Sequence, residues 1–583
     1  MKYNVAHFGA FDIDSLGDSL FVTIMKNELS SRLDIENYTL FSLNHVDNAF
    51  NNNGIVYSYE EFDKINNAIH FDALIIGGGE LLHYKPISFN KNSLNNVNCF
   101  YEAGKLWRFP ANKGKKLNIP VIFNCAGVPY NIPEEYYKDF AKTLNGLSYM
   151  SVRDYYSAVR IKDFFDDKAL VHTIPDTVFN IDLVYSKEKL LSHFQNLKLD
   201  NSFNKSEKYI CIQYGTSYRI DDLVNQIKQI RSSYNYQIVL LPINYCHEDV
   251  SSMNYIKEKL QDDKVFLFDN LNPIDIISII SNASLFAGTS FHGNLIAFTY
   301  NVKCIAFDMY NTFISKIDGL FNYLNLFQYI LPEPNSLFST FSEINNDDTY
   351  VSLSQNKNAE TKNILKKHFD EIADIIKQNT TTTIHTILNV NVPNFAHFKK
   401  AFIKYKKDDN TVLKYIISES LDNIYKFTFN NINASELSFN FFSDNPCSVE
   451  ILSFIVNDSV SQFSNNNSLR QNNDESLFAD YIVSYNLTSS DIIKELKVEC
   501  IIKELNKDTS LELLKENMRN KDAHIEHLMQ SERDLQYKNS CLSKDIKNLK
   551  EQNNSLELQI NSIRLNFKNM RNCIRNRIFK HKN

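Results

Sequence analysis

No Cys-x-x-Cys pair occurs among the nine cysteines of this 583-residue chain. Cys99, Cys125, Cys211, Cys246, Cys304, Cys447, Cys500, Cys541 and Cys573 are widely scattered and odd in number, which suits reduced thiols and a cytoplasmic setting. The opening MKYNVAHFGAFDID has no apolar signal core, and no later run approaches the roughly 20 apolar residues that cross a bilayer, so neither secretion by that route nor a membrane span is expected. Excess positive charge is lacking as well. With 62 Lys and Arg against 69 Asp and Glu, a formal charge of -7, there is no general reason to expect nucleic-acid binding. The glycine cluster IIGGGELLH (75–83) has neither the G-x-G-x-x-G spacing of a dinucleotide fold nor the lysine of a P-loop, so neither NAD nor ATP is inferred.

What is present is a folded globular composition, 43% hydrophobic and 13% aromatic, in a chain too long for one core. Over residues 1–185, short apolar runs ending in Gly or Pro (YNVAHFG, FDALIIGGG, IPVIFNCAG) alternate with amphipathic stretches such as SLFVTIMKNELSSRL. The rhythm restarts at KYICIQYG and runs to about 385, where ETKNILKKHFDEIADIIKQ (360–378) reads as a helix packing back on what precedes it. Two doubly wound Rossmann-like α/β domains, 1–185 and 186–385, are the expected pair, with ligands at the carboxyl ends of their parallel strands. Residues 386–507 form a small β-rich accessory domain by their period of two, as in Leu437, Phe439, Phe441 and Tyr481, Val483, Tyr485. Residues 508–583 carry a four-then-three spacing through Leu514, Met518, Lys521, Ile525, Leu528, Glu532, Leu535, Asn539, Leu542, Ile546, Leu549 and Asn553. Leucines at d and asparagines at a predict a parallel coiled coil and hence a homodimer. The basic end with Arg564, Lys568, Arg571, Arg575, Arg577 and Lys580 fits two readings, a solvated helix end and a contact with the inner face of an anionic membrane.

Chemistry-bearing residues gather at predicted strand ends. Gly17 and Asp18 in SLGDSLF open a helix, where amides and dipole face an anion, although Asp is also a common cap. Asp12 and Asp14 form a weak D-x-D, and no metal is expected. Gly78 and Gly79 allow positive φ and close approach of a ligand, and His83 reads equally as a cleft and a core residue. In SVRDYYS, Arg153 offers a planar fork for carboxylate or phosphate, and Asp154 or Ser157 caps the helix that follows. IPDTVF sets Asp176 at another strand end, with a structural or supporting role. FAGTSFHGNLIAF puts Thr289, Ser290, His292 and Gly293 at a helix start between two buried runs, where an imidazole can titrate near neutral pH, although these residues alone favour a satisfied structural histidine.

Taken in order, SLGDSLF, IIGGGELL, SVRDYYS, IPDTVF, LLPINYCHED and GTSFHGNLIAFTYNVKCIAFD followed by Lys316 resemble the polysaccharide pyruvyl transferase family over about residues 1–380. The resemblance implies a fold similar to the GT-B glycosyltransferases, phosphoenolpyruvate as donor substrate with no further cofactor, and a saccharide of a cell-surface glycan as acceptor, giving a pyruvate ketal. It implies His292 as general acid and Arg153 as the clamp on the donor, with Gly78, Gly79, Ser290 and the amides around Gly293 as further donors. Many family members carry a basic residue just before the motif histidine. Here Ser290 and Phe291 stand there, and Lys316 is the replacement candidate. Two other readings keep the same fold: a glycosyltransferase with a nucleotide-sugar donor, and a degenerate scaffold of glycan biosynthesis working through its coiled coil.

Overall fold

The computed structural model describes residues 1–505 except 48–53, 86, 89–99, 246–247, 309–313, 382–383, 387–397 and the short stretches 408–409, 422–423, 443–446, 462–463, 466–469, 473–474 and 479–481. The expected coiled coil and basic tail lie outside the described residues.

The first sheet contains β1 (Lys2–Phe8), β2 (Asp34–Ser42), β3 (Val56–Ser58), β4 (Ala73–Gly77), β5 (Val121–Ala126), β6 (Tyr149–Val152) and β7 (Val171–Thr173), all parallel in the order β3-β2-β1-β4-β5-β6-β7. The second contains β8 (Tyr209–Gln213), β9 (Gln237–Leu240), β10 (Val265–Leu267), β11 (Leu285–Gly288), β12 (Lys303–Phe307) and β13 (Ile330–Leu331), parallel in the order β10-β9-β8-β11-β12-β13. Strands such as ALIIG and YICIQ are buried at every residue because helices cover both faces, which is why they read as unbroken apolar runs. The two doubly wound domains of the sequence reading are both present.

They are held together from opposite ends of the chain. Helix α1 (Leu16–Ser30) starts the first domain, and one continuous core joins its Leu20 and Ile24 to Phe291, Phe298 and Phe369 of later elements. The closing helix is longer than its apolar stripe suggests, running over Tyr350–Gln378 rather than 360–378. Its polar first half is needed where it lies: Asn358 donates to the carbonyls of Phe298 and Thr299, both at 3.2 Å, at a helix end where the Asn301 N–H also reaches the Phe298 carbonyl at 2.9 Å. Its second half carries the buried His368, whose ring nitrogens meet the Tyr149 hydroxyl at 2.9 Å and Asn124 Oδ1 at 2.8 Å beneath the first sheet.

Among the described residues, the third region is an antiparallel sheet of eleven strands. Its first described strands, inside the expected 386–507 and ahead of the quoted aromatic alternation, are β14 (Phe398–Lys407) and β15 (Asn410–Leu421), pairing from Phe398↔Glu419 to Lys407↔Asn410. Ala401, Ile403 and Tyr405 of β14 face the sheet's own core, while Lys400 and Phe402 on its other side are also buried. The Asn/Ser-rich stretch that starts at Asn457 contains the short strands Ser459–Val460, Ser464–Asn465, Arg470–Asn472 and Glu475–Phe478. No helix among the described residues is long and apolar enough to cross a membrane.

Candidate active site

The carboxyl ends of the two parallel sheets face each other across a cleft of about 360 Å³. The first domain contributes Ser15, Asp18, Gly79, Glu80 and Arg153, and the second contributes Gln213, Asn244, Thr289, Phe291, His292 and Lys316. Backbone pairing of Ser15 with Asn244 joins the two rims at one end.

His292 lies in the first turn of α2 (Phe291–Thr299), whose amino end Ser290 caps by accepting from the Gly293 N–H at 3.1 Å. The Ser290 N–H in turn donates to Gln213 Oε1 at 2.8 Å, and Gln213 is held by Asp249 at 2.9 Å. The N–H groups of Ser290 and Gly293 are therefore both taken and hold the histidine's turn in place, while the Ser290 side chain lines the cleft. The imidazole rests on the other domain. A Cβ at Gly17 would stand 1.9 Å from His292 Nδ1, and the Phe21 ring meets the imidazole edge-on at 5.3 Å between centroids. Gly17 is thus the seat of the ring, because only hydrogen on its Cα leaves the space. Gly78 and Gly79 have φ of +94° and +70°, the left-handed region that glycine enters freely. A side chain on Gly78 would strike Phe21, and one on Gly79 would strike the Asp18 carboxylate.

His292 Nε2 is buried without a hydrogen-bond partner, and the nearest carboxylate oxygen, Asp176 Oδ2 at 3.8 Å, is unpartnered too. The other oxygen of Asp176 accepts from the Val178 N–H at 2.9 Å. Burial, reinforced by the Arg153 and Lys316 cations, holds the imidazole well below its ordinary range, with Glu80 opposing. These surroundings favour the neutral imidazole, where the sequence suggested a histidine titrating near neutral pH. Burial pushes the Asp176 carboxyl up to about 6, against Arg153 and the Val178 amide.

Arg153, at the end of β6, is almost wholly enclosed. Its guanidinium lies under the Phe291 ring at 4.7 Å from the centroid, and against Gly127, where a Cβ would come within 2.9 Å of Cζ. Its Nη2 pairs with Glu80 Oε1 at 3.1 Å, and its Nε approaches Asp154 at 3.4 Å. Asp154 caps the next helix, accepting from the Ser157 N–H at 2.7 Å. Glu80 also receives Lys316 Nζ at 3.1 Å, from the first turn of α3 (Lys316–Tyr323). Burial alone would raise the Glu80 pKa, but the Lys316 and Arg153 cations override it and bring it down to about 2.

The structure thus gathers His292, Arg153, Asp18, Gly79 and Lys316 at one cleft, with Asp176 buried beside His292. Asp12 is a turn brace instead, accepting from the Ser42 hydroxyl at 2.5 Å and the Asn44 side chain at 2.7 Å. His83 is buried behind the rim. Glu80, the residue on which both cations converge, was not singled out from the sequence. Its signal was an acid placed directly after three glycines at a strand end.

Residues 16–309 match the family model described as polysaccharide pyruvyl transferase, which is half of the chain. The chain belongs to the polysaccharide pyruvyl transferase family. Family membership covers α1, the glycine turn, Arg153, Asp176 and His292, and it ends before Lys316 and the accessory sheet. No curated protein matches the chain significantly. Among solved structures, a glycosyltransferase from Rickettsia africae ESF-5 is similar at 12% identity and a TM-score of 0.44, over 66% of this chain and 100% of that one. A UDP-GlcNAc 2-epimerase from Neisseria meningitidis is similar at 11% identity and 0.40, over 65% and 99%. Sucrose-phosphate synthase from Thermosynechococcus elongatus gives 11% and 0.40, over 64% and 98%. These are distant likenesses, from which no ligand or reaction carries over.

Proposed function

We propose that the protein transfers pyruvate from phosphoenolpyruvate to two hydroxyls of a saccharide, forming a ketal and releasing phosphate. The observation that carries this reading is the convergence of two cations, Arg153 and Lys316, beside a buried imidazole whose Nε2 has no partner. A small, densely anionic donor suits that arrangement, since its carboxylate and phosphate match a guanidinium fork and an ammonium.

In this reading His292 delivers a proton to C3 of the enol, turning CH2 into CH3 and leaving positive charge at C2. A sugar hydroxyl attacks C2 and gives up its proton, phosphate leaves with the electrons of its C2–O bond, and a second hydroxyl attacks and loses its proton. One of the two hydroxyl protons restores His292 and the other leaves on phosphate. The acid must carry its proton before this begins, and burial with the two cations disfavours the protonated imidazole. Donor binding supplies the missing step. Its negative charge offsets Arg153 and Lys316, the cations that add to the depression burial causes, and so shifts His292 toward its protonated form as the donor arrives. Asp176, 3.8 Å from Nε2, is placed to steady the resulting imidazolium.

Calorimetry with phosphoenolpyruvate and with UDP-sugars tests the donor. Binding of the former supports the reading, and binding of UDP-sugars alone replaces it.

A further inference from the structure

Lys400 is a lysine of the accessory sheet with its side chain 1% exposed. It projects from β14 on the face away from the sheet's own core, toward the second α/β domain. Its Nζ lies 2.8 Å from Asp308 Oδ2 and 2.8 Å from Asp318 Oδ1, and both carboxylates are buried. Asp308 follows β12, and Asp318 stands in the first turn of α3, two residues after Lys316.

Ser315 closes the network. Its hydroxyl donates to Asp308 Oδ2 at 2.9 Å, its N–H donates to Asp318 Oδ2 at 2.8 Å, and its Oγ accepts from the Ile317 and Asp318 N–H groups. The amino end of α3 is therefore tied to an ammonium from another domain through the cap residue adjoining Lys316. The first domain holds the same turn from the other side. Arg160 Nη2 donates to the Ile314 carbonyl at 3.1 Å, and Gly319 lies against Asp154, where a Cβ would come within 3.1 Å of the Asp154 side chain.

Buried ion networks contribute little to stability compared with an apolar contact of the same volume, but they permit few arrangements of their partners. We propose that Lys400 is a positioning residue for the site: by bridging Asp308 and Asp318 it fixes the first turn of α3 and thereby the Lys316 ammonium at Glu80. The accessory sheet is then part of the site's construction rather than an appendage to it. Only the identity of the donor in the test below rests on the proposed function.

The test is Lys400→Met in the full chain, read two ways. Hydrogen exchange of the amides of residues 317–321 is expected to quicken at least about tenfold while the buried amides of α1 keep their protection. For phosphoenolpyruvate, KM is expected to rise about tenfold, the scale of one charge-assisted contact, with kcat within about twofold. In a Lys316→Met background, Lys400→Met is expected to add nothing to KM. Should Lys400→Met fail to fold, Lys400→Met with Asp318→Asn removes the repulsion between the two carboxylates, keeps a capping side chain at 318, and carries the same measurements. Unchanged exchange at 317–321 in a folded variant, or KM effects that add in the Lys316→Met background, overturns the proposal. Failure of the parent protein to bind phosphoenolpyruvate counts against the proposed function instead, and the exchange result still decides the role of Lys400.

Discussion

Gly17 and His292 touch across the two domains: the first turn of α1 lies so close beneath the imidazole that a methyl group on Gly17 would stand 1.9 Å from Nδ1. The orientation of the proposed acid therefore depends on the absence of a side chain in the other domain. Gly17→Ala is expected to fold, since alanine favours a helix, yet to lower kcat about 100-fold by displacing the ring. Steady-state kinetics beside a melting curve check this, and an unchanged kcat would show that the ring's seat is unimportant.

Asp176 couples stability to pH. Its folded pKa, about 6, lies above the ordinary carboxylate value, so the folded protein holds this proton more tightly than the unfolded chain does. Its contribution to stability is full below the unfolded value and is lost as pH rises through about 6. Asp176→Asn keeps a cap for the Val178 amide without the charge. It is expected to be more stable than the parent at pH 8 by about 1–3 kcal/mol, with the difference fading toward pH 4, and less active throughout. Denaturant titrations at the two pH values measure it.

Glu80 holds the two cations together and also competes with an anionic donor for them. Glu80→Gln is expected to bind phosphoenolpyruvate up to about tenfold more tightly while lowering kcat. The loss in kcat follows because Glu80 is the charge that raises the His292 pKa. Weaker donor binding in this variant would mean that Glu80 organises the cations rather than screening them.

Proton uptake is a separate signature. Calorimetry of donor binding near pH 7 in buffers of different ionisation enthalpy is expected to show uptake of up to one proton in the parent and none in His292→Ala. Equal uptake in both proteins would assign the proton elsewhere.

The fold was legible where both faces of a strand are covered, because runs such as ALIIG and YICIQ admit little else. His292 and Arg153 were legible through the order of their motifs. Glu80 was not, because a carboxylate contradicts an anion site until the two cations beside it are seen. Ser290 and Gly293 were legible as a helix start, but which of their donors stays free depends on the Gln213 side chain, 77 residues from Ser290. Lys400 was hidden for a different reason: in FKKAFIKYKK (398–407) it is one lysine among several, and only its tertiary partners distinguish it from the exposed Lys404 and Lys406. The long closing helix was underestimated because its first half buries Ser354, Asn358 and Thr361, residues that make no apolar stripe.

The most direct test of the central claim is the reaction itself in deuterated water, with phosphoenolpyruvate and a saccharide offering two neighbouring hydroxyls. The account predicts phosphate released in equal amount to a pyruvate ketal whose methyl group carries one solvent deuterium, with both products lost in His292→Ala. Ketal formation at the parental rate in His292→Ala would contradict it.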